Sequence, residues 1–223
     1  MEAFKVDLDS RENQSILKPS ARPFNNQAHQ VNEVAKKIYK LIEGTKHPND
    51  GIILNHSEIK EAFFSPFEPQ LKDAQVFLSH SHADKNKALK VKNYLESETN
   101  HRVFIDSLFW DYKDNVLNKL AEYDDISGIE DAFTLILRES LEDMIKKCPY
   151  FVFLQSNNSV SLNKDLLGIT YSAWIYEELK IANGLIADSA LQARIKAMRV
   201  SHNITNLLRR FKSISLNSLS ILL

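Results

Sequence analysis

Asp73–Lys92 reads DAQVFLSHSHADKNKALKVK, and few folds accommodate residues in that order. Ala74–Leu78 is a short apolar run without Gly or Pro, which suits a strand buried on both faces. Ser79–Asp84 is small and polar. Lys85–Glu96 then takes helical spacing, with Ala88, Val91 and Leu95 on one side and Leu89 beside them. A buried strand, a polar turn and a helix make the first half of a βαβ unit. Open parallel sheets bind ligands beyond the carboxyl ends of such strands, so Ser79–Asp84 is the first place to expect chemistry.

The rest of the chain repeats this alternation. Arg102–Asp106 (RVFID) is predicted as a second strand ending in a carboxylate. The aromatic and acidic stretch Ser107–Asp125 follows, with a short helix expected over Asn115–Tyr123. Asp131–Lys147 is a firmer helix with Leu137, Leu141, Met144 and Ile145 on one stripe. Pro149 ends it, and Tyr150–Leu154 (YFVFL) is a third buried strand. Gln155–Thr170 has no periodicity and reads as a polar loop, and Tyr171–Ile186 reads as the next helix. Ala190–Val200 and Asn203–Phe211 are helical in pattern, whereas Ile214–Leu223 alternates in part and is expected as an edge strand. Strands alternating with helices predict an α/β fold built on a three-layer parallel sheet of flavodoxin-like type.

Before Asp73 the pattern differs. Met1–Gln27 is polar, carries Pro19 and Pro23, and reads as an irregular or mobile arm. Ala28–Glu43 is an amphipathic helix with Val31, Val34, Ala35, Ile38, Leu41 and Ile42 on one face and Gly44 as its C-cap. Ser57 is expected to cap a second short helix through Phe64, and Pro66 and Pro69 lead into the main domain. The expected division is therefore an arm and helical appendage over 1–71 and an α/β domain over 72–223.

Composition excludes several functions. A net charge of −1 with Lys and Arg spread through the helices gives no stripe for nucleic acid. The single cysteine, Cys148, excludes an intramolecular disulfide and a cysteine zinc site, and it reads as a packed thiol. No apolar run approaches the roughly 20 residues that span a membrane, and the charged N-terminus is unlike a secretory signal. A soluble intracellular protein is expected. The five glycines (Gly44, Gly51, Gly128, Gly168 and Gly184) are too scattered for a G-x-G-x-x-G turn or a Walker loop. No G-x-S-x-G supports a serine hydrolase.

Three constellations remain. His80-Ser-His82-Ala-Asp84 is similar to the H-x-H-x-D-H metal motif of the metallo-β-lactamase fold, but Lys85 stands where the last histidine belongs. The plainer alternative is two histidines in a polar loop. In Trp174-Ile-Tyr-Glu-Glu178, the first and last residues are i,i+4 neighbours on a helix. Ile175, Leu179, Ala182 and Ile186 mark its buried stripe, and Trp174 and Glu178 are expected along the border of that stripe. An indole beside a carboxylate can hold a flat cationic ring and answer positive charge developing next to it. The alternative is a packing tryptophan and a solvated glutamate. Lastly, Asp106 closes a strand and Trp110 lies just beyond it, either at the site or covering the sheet edge.

In order, VFLSHSHADK, RVFID, YFVFLQSNNS and SAWIYEELKIANGL resemble a TIR (Toll/interleukin-1 receptor) domain over about Asp73–Ile186. They are similar to its first strand and following loop, its second strand, its third strand and serine-bearing loop, and the helix that carries W-x-x-x-E in NAD-cleaving members. The resemblance is closest to stand-alone bacterial TIR proteins, including those of Thoeris-type antiphage systems. The last one or two strands of the family's five-stranded sheet have no legible counterpart after Ile186.

The resemblance implies an NAD+ glycohydrolase or cyclase acting in the cytoplasm, with NAD+ as substrate and no separate cofactor or metal. It implies Glu178 as catalytic carboxylate and Trp174 as the wall beside nicotinamide, with Ser79, His80, Asp84, Asp106 and Trp110 binding substrate. The partners it implies are other TIR domains, through self-association, and a downstream effector that senses the product. Low activity in the resting protein follows from the family's dependence on association. The alternative from another class is a non-catalytic TIR module, an adaptor or host-mimicking effector. A metallohydrolase is the third reading.

Overall fold

The computed structural model describes residues 1–17, 36–38, 40, 55–64, 73–105, 114–119, 121, 127–162, 168–170, 172–186 and 202–223. Taken along the chain, the elements are β1 (Glu2–Asp7), α1 (Arg11–Ile16), α2 (His56–Phe64), β2 (Ala74–Ser79), a 3-10 turn (His82–Asp84), α3 (Lys85–Glu98) and β3 (Arg102–Ile105). Then come α4 (Ser127–Lys147), β4 (Tyr150–Gln155), β5 (Ser161–Leu162), β6 (Gly168–Thr170) and α5 (Ala173–Leu185). The chain closes with β7 (His202–Asn203), α6 (Thr205–Leu208), β8 (Lys212–Ser213) and α7 (Leu216–Leu222). Residues 114–119 are also helical.

Two compact units divide the chain, with one boundary between Lys72 and Asp73 and with each unit drawn from more than one stretch. One holds Met1–Pro23, Asp73–Ser107 and Leu141–Leu223; the other holds Phe24–Lys72 and Leu108–Ser140. In the first unit five strands form one sheet in the order β3-β2-β4-β1-β8, and every pairing is parallel. This is an α/β fold with a central parallel sheet. Two of its inner strands, β2 and β4, are apolar runs of the sequence. Residues Phe151–Leu154 of β4 and Val76–Ser79 of β2 have no exposed surface, as strands covered on both faces require. Phe77 stacks on Phe151 at 5.5 Å and meets Phe104 at 5.7 Å, while Phe151 takes Phe211 edge-on at 5.6 Å.

The expected polar arm is overturned for its first 17 residues. Glu2–Asp7 is an inner strand, in register with β4 from Glu2↔Tyr150 to Asp7↔Gln155 and flanked on its other side by β8. Phe4, Val6 and Leu8 are wholly buried. Their period of two is interrupted only by Lys5 and Asp7, and those two charges concealed the strand. Beyond it Ser10 caps α1 by accepting from the Asn13 N–H. The buried Asn13 donates to the Asp7 carbonyl at 2.7 Å and accepts from the Leu216 N–H at 2.9 Å, which ties the end of β1 to the start of α7.

Three further expectations are corrected. Gln155–Thr170 is not all loop, because β5 and β6 join β7 in a small antiparallel sheet. Ile214–Leu223 is not a strand: the edge strand is the preceding Lys212–Ser213, after which Ser215 caps α7 and Leu216 and Leu219 turn inward at helical spacing. In the second unit α2 is capped by Asn55 rather than Ser57, since the Asn55 Oδ1 accepts from the N–H groups of Ser57 (2.9 Å) and Glu58 (3.4 Å). Ile38, Ile59, Val116, Leu117, Phe133, Ile136 and Leu137 are buried in that unit. Most of the expected Ala28–Glu43 helix with Gly44, and the Ala190–Val200 helix, lie outside the described residues. Among the described residues no helix is long and apolar enough to cross a membrane.

Candidate functional site

Because β1 to β4 in the main sheet run the same way, their carboxyl ends, Asp7, Ser79, Ile105 and Gln155, share one edge. The loops that leave three of these strands are joined by polar side chains. Asp84, at the end of the turn after β2, is buried and accepts from the Ser156 hydroxyl and from the Asn158 amide at 2.9 Å. Lys87 on α3 lies 3.6 Å from Asp84 and 3.1 Å from Asp9, the residue two beyond β1. Asp9 also accepts from the Asn157 N–H at 3.0 Å. That backbone bond, more than the bond and charge of Lys87, holds the Asp9 carboxyl below its ordinary value, with partial burial working against it. Lys87 is in turn raised, chiefly by its bond to Asp9.

Ser79 closes β2, level with Phe153 of β4, and has no exposed surface. Its hydroxyl donates to the Glu178 Oε2 at 2.5 Å, at the short end of the O–H···O range. Glu178 is also without exposed surface. It therefore lies inside the buried stripe of α5, not along its border. Ile175, Glu178, Leu179 and Ala182 follow the i, i+3, i+4, i+7 spacing of one helical face, and the acid takes a core position on it.

Helix α5 is capped at its start and tied at its end. Ser172 accepts from the Ile175 N–H at its start. At its end Arg210 donates to the carbonyls of Asn183 (2.8 Å) and Ile186, while Asn183 donates to the Leu207 carbonyl at 3.0 Å. A guanidinium among the last carbonyls suits the negative end of a helix dipole. Trp174, one turn before Glu178, is half-buried. Between them Tyr176 stacks on His202 of β7 at 4.3 Å.

The structure thus brings Ser79 and Glu178 together, and Trp174 is on the same helix as the acid. His80 is buried, whereas His82 faces solvent, so the H-x-H-x-D run does not converge. No three His, Cys, Asp or Glu side chains among the described residues are grouped to hold a metal. Asp106 and Trp110 lie outside the described residues. Sequence reasoning missed Asp9, Lys87 and the engagement of Asp84 by Ser156 and Asn158. The SNNS run after β4 marked a polar loop, but nothing in the sequence paired it with Asp84 across 72 residues. A carboxylate buried against a hydroxyl at a sheet's ligand-binding edge can stabilise a developing cation, strongly so where water is excluded. No protein-family model, curated protein or solved structure matches this chain.

Proposed function

We propose that this chain is a TIR-type NAD+ glycohydrolase or cyclase, with a flavodoxin-like sheet, acting in the cytoplasm in defence against phage. The observation that carries the reading is the Ser79–Glu178 pair: a wholly buried carboxylate at the carboxyl edge of a parallel sheet, one helical turn from a half-buried tryptophan. The chain's lack of clustered glycines suits an enzyme that consumes NAD+ instead of retaining it by the pyrophosphate.

In this reaction the bond between ribose C1′ and the nicotinamide nitrogen breaks. Nicotinamide leaves as a neutral molecule with the electron pair, and the ribose acquires oxocarbenium character. Glu178 stabilises that charge, and Trp174 walls the nicotinamide ring. Capture by water gives ADP-ribose and a proton; capture by a nucleophile of the same molecule gives a cyclic product. The product serves a downstream effector, or the loss of NAD+ itself is the outcome. The absence of exposed surface on Glu178 supports a slow resting enzyme that opens on self-association through its TIR domain.

Incubation of the purified chain with NAD+ and identification of products by mass spectrometry is the test. Glu178→Ala and Glu178→Gln are each expected to lower nicotinamide release about 100-fold or more in a folded protein. Wild-type turnover in either removes Glu178 from the mechanism. The same burial also favours a second reading, a non-catalytic TIR adaptor or host-mimicking effector in which Glu178 only joins α5 to β2. That reading prevails if the concentrated, associated protein leaves NAD+ intact.

A further inference from the structure

We infer that Ser79 is a positioning residue for Glu178 and not a ligand for substrate. The inference rests on the reading of Glu178 as the group that faces the ribose, and it reassigns Ser79 within that site. A serine hydroxyl has one proton to donate, and here that proton is directed to the Glu178 Oε2 at 2.5 Å. The Ser79 backbone is paired with Phe153 of β4, directly after Leu78, which is paired on both sides, with β3 and with β4. Glu178 is different in kind, being a long side chain with three rotatable bonds on a helix.

The strand therefore supplies the rigid partner and the helix the adjustable one. The bond fixes one carboxylate oxygen and so the plane and direction of the other. Displacing a reacting group by about 1 Å can cost about 100-fold in rate. The end of α5 is tied to the 207–210 segment through Asn183 and Arg210, and Ile175, Leu179 and Ala182 bury its inner face, so the helix axis is already placed. What Ser79 adds is the rotamer of the acid.

The test compares the full-length chain with Ser79→Ala, which removes one oxygen from a strand residue, and Ser79→Thr, which restores the hydroxyl on a good strand former. Two readouts are taken. One is NAD+ cleavage, expected to lose about 10- to 100-fold in kcat for Ser79→Ala with KM within about threefold of wild type, and to recover in Ser79→Thr. The other is titration of the Glu178 carboxyl by carbon NMR, its signal assigned by loss in Glu178→Gln. Removing a donor to the charged form raises a carboxyl's midpoint, here by about one pH unit or more.

A raised KM with unchanged kcat would overturn the inference, because Ser79 would then be touching NAD+. So would a Glu178 midpoint that Ser79→Ala leaves in place. If the wild-type chain cleaves no NAD+ under any condition, the proposed function fails, and the carboxyl titration still decides whether Ser79 holds Glu178.

Discussion

Replacing Phe4 by alanine tests the least expected feature of the fold, a strand at the start of the chain lying within the sheet. Phe4 has no exposed surface and sits between Val152 of β4 and Lys212 of β8, whose ammonium lies 5.6 Å from its ring. Truncating a buried Phe costs about 3–5 kcal/mol, from lost transfer energy and the cavity left behind. Domains are commonly stable by about 5–15 kcal/mol, so the loss is about a fifth of the total or more. With a urea slope of about 2–3 kcal/mol per molar, the midpoint falls by about 1–2.5 M. The measurement is urea unfolding followed by tryptophan fluorescence and circular dichroism, with the exposed Glu2→Ala as control and expected within about 0.5 kcal/mol of wild type. A loss under about 1 kcal/mol for Phe4→Ala would refute the reasoning. Residues 1–8 would then behave as the arm that their charges resemble, and β4 would have lost its neighbour on that side.

Asp9 and Lys87 predict a pH dependence. The depressed carboxyl of Asp9 contributes stability that is present above its unfolded value near 3.9 and lost as pH falls through its lower folded value. The raised Lys87 contributes below its unfolded value and loses that contribution at strongly alkaline pH, as pH rises through its folded value. Both side chains are part-exposed, at 30% and 41%, so the pair is worth about 0.2–1 kcal/mol. Asp9→Asn should be less stable than wild type at pH 7, with the gap closing as acid protonates the folded Asp9 carboxylate, and a pH-independent gap would count against the assignment. Burial pushes the Cys148 thiol up to about 12, opposed only weakly by Lys147. Native labelling at pH 8 should therefore run about a thousandfold slower than in urea, whereas fast native labelling would mean the thiol is reachable. Asn55→Ala should cost about 1 kcal/mol through loss of the α2 cap and Ser57→Ala almost nothing, with the reverse order in urea midpoints restoring Ser57 as the cap.

The sequence was legible where burial is uniform. Val76–Leu78, Val103–Ile105 and Phe151–Leu154 announce strands of a central sheet because both of their faces are covered, leaving no polar position in the run. It was illegible where one long polar side chain sits at a half-buried place. Lys5 is such a residue, able to run its stem along an apolar surface and keep its ammonium in water. With Asp7 beyond it, that lysine made an inner strand resemble a polar tail. The two-residue β8 carries no periodicity at all, since Lys212 and Ser213 are both exposed. Its place is set by the partner β1, through Phe4↔Lys212 and Lys5↔Ser213, and that information lies more than 200 residues away. The cap of α2 was misread for a simpler reason. Two polar residues near one helix start, Asn55 and Ser57, both satisfy the sequence rule, and only geometry shows which oxygen meets the N–H groups.

Glu178 shows the opposite case, where the pattern held the answer. Its neighbours Ile175, Leu179 and Ala182 define a stripe, and Glu178 lies three residues after the first and four before the last. Helical geometry leaves no border for a residue at that spacing; it points where they point. A glutamate has a strong preference for water, and an ionised carboxylate without partners is costly to bury. A glutamate at such a position must therefore find a donor on whatever the stripe packs against, which makes the Ser79 hydroxyl part of the same structural requirement. The general consequence is a rule for reading helices beside parallel sheets. An acid at a core position of the stripe, opposite the last residue of a buried strand, is a stronger pointer to a site than one at the border, because solvation cannot explain its placement and only a specific partner can.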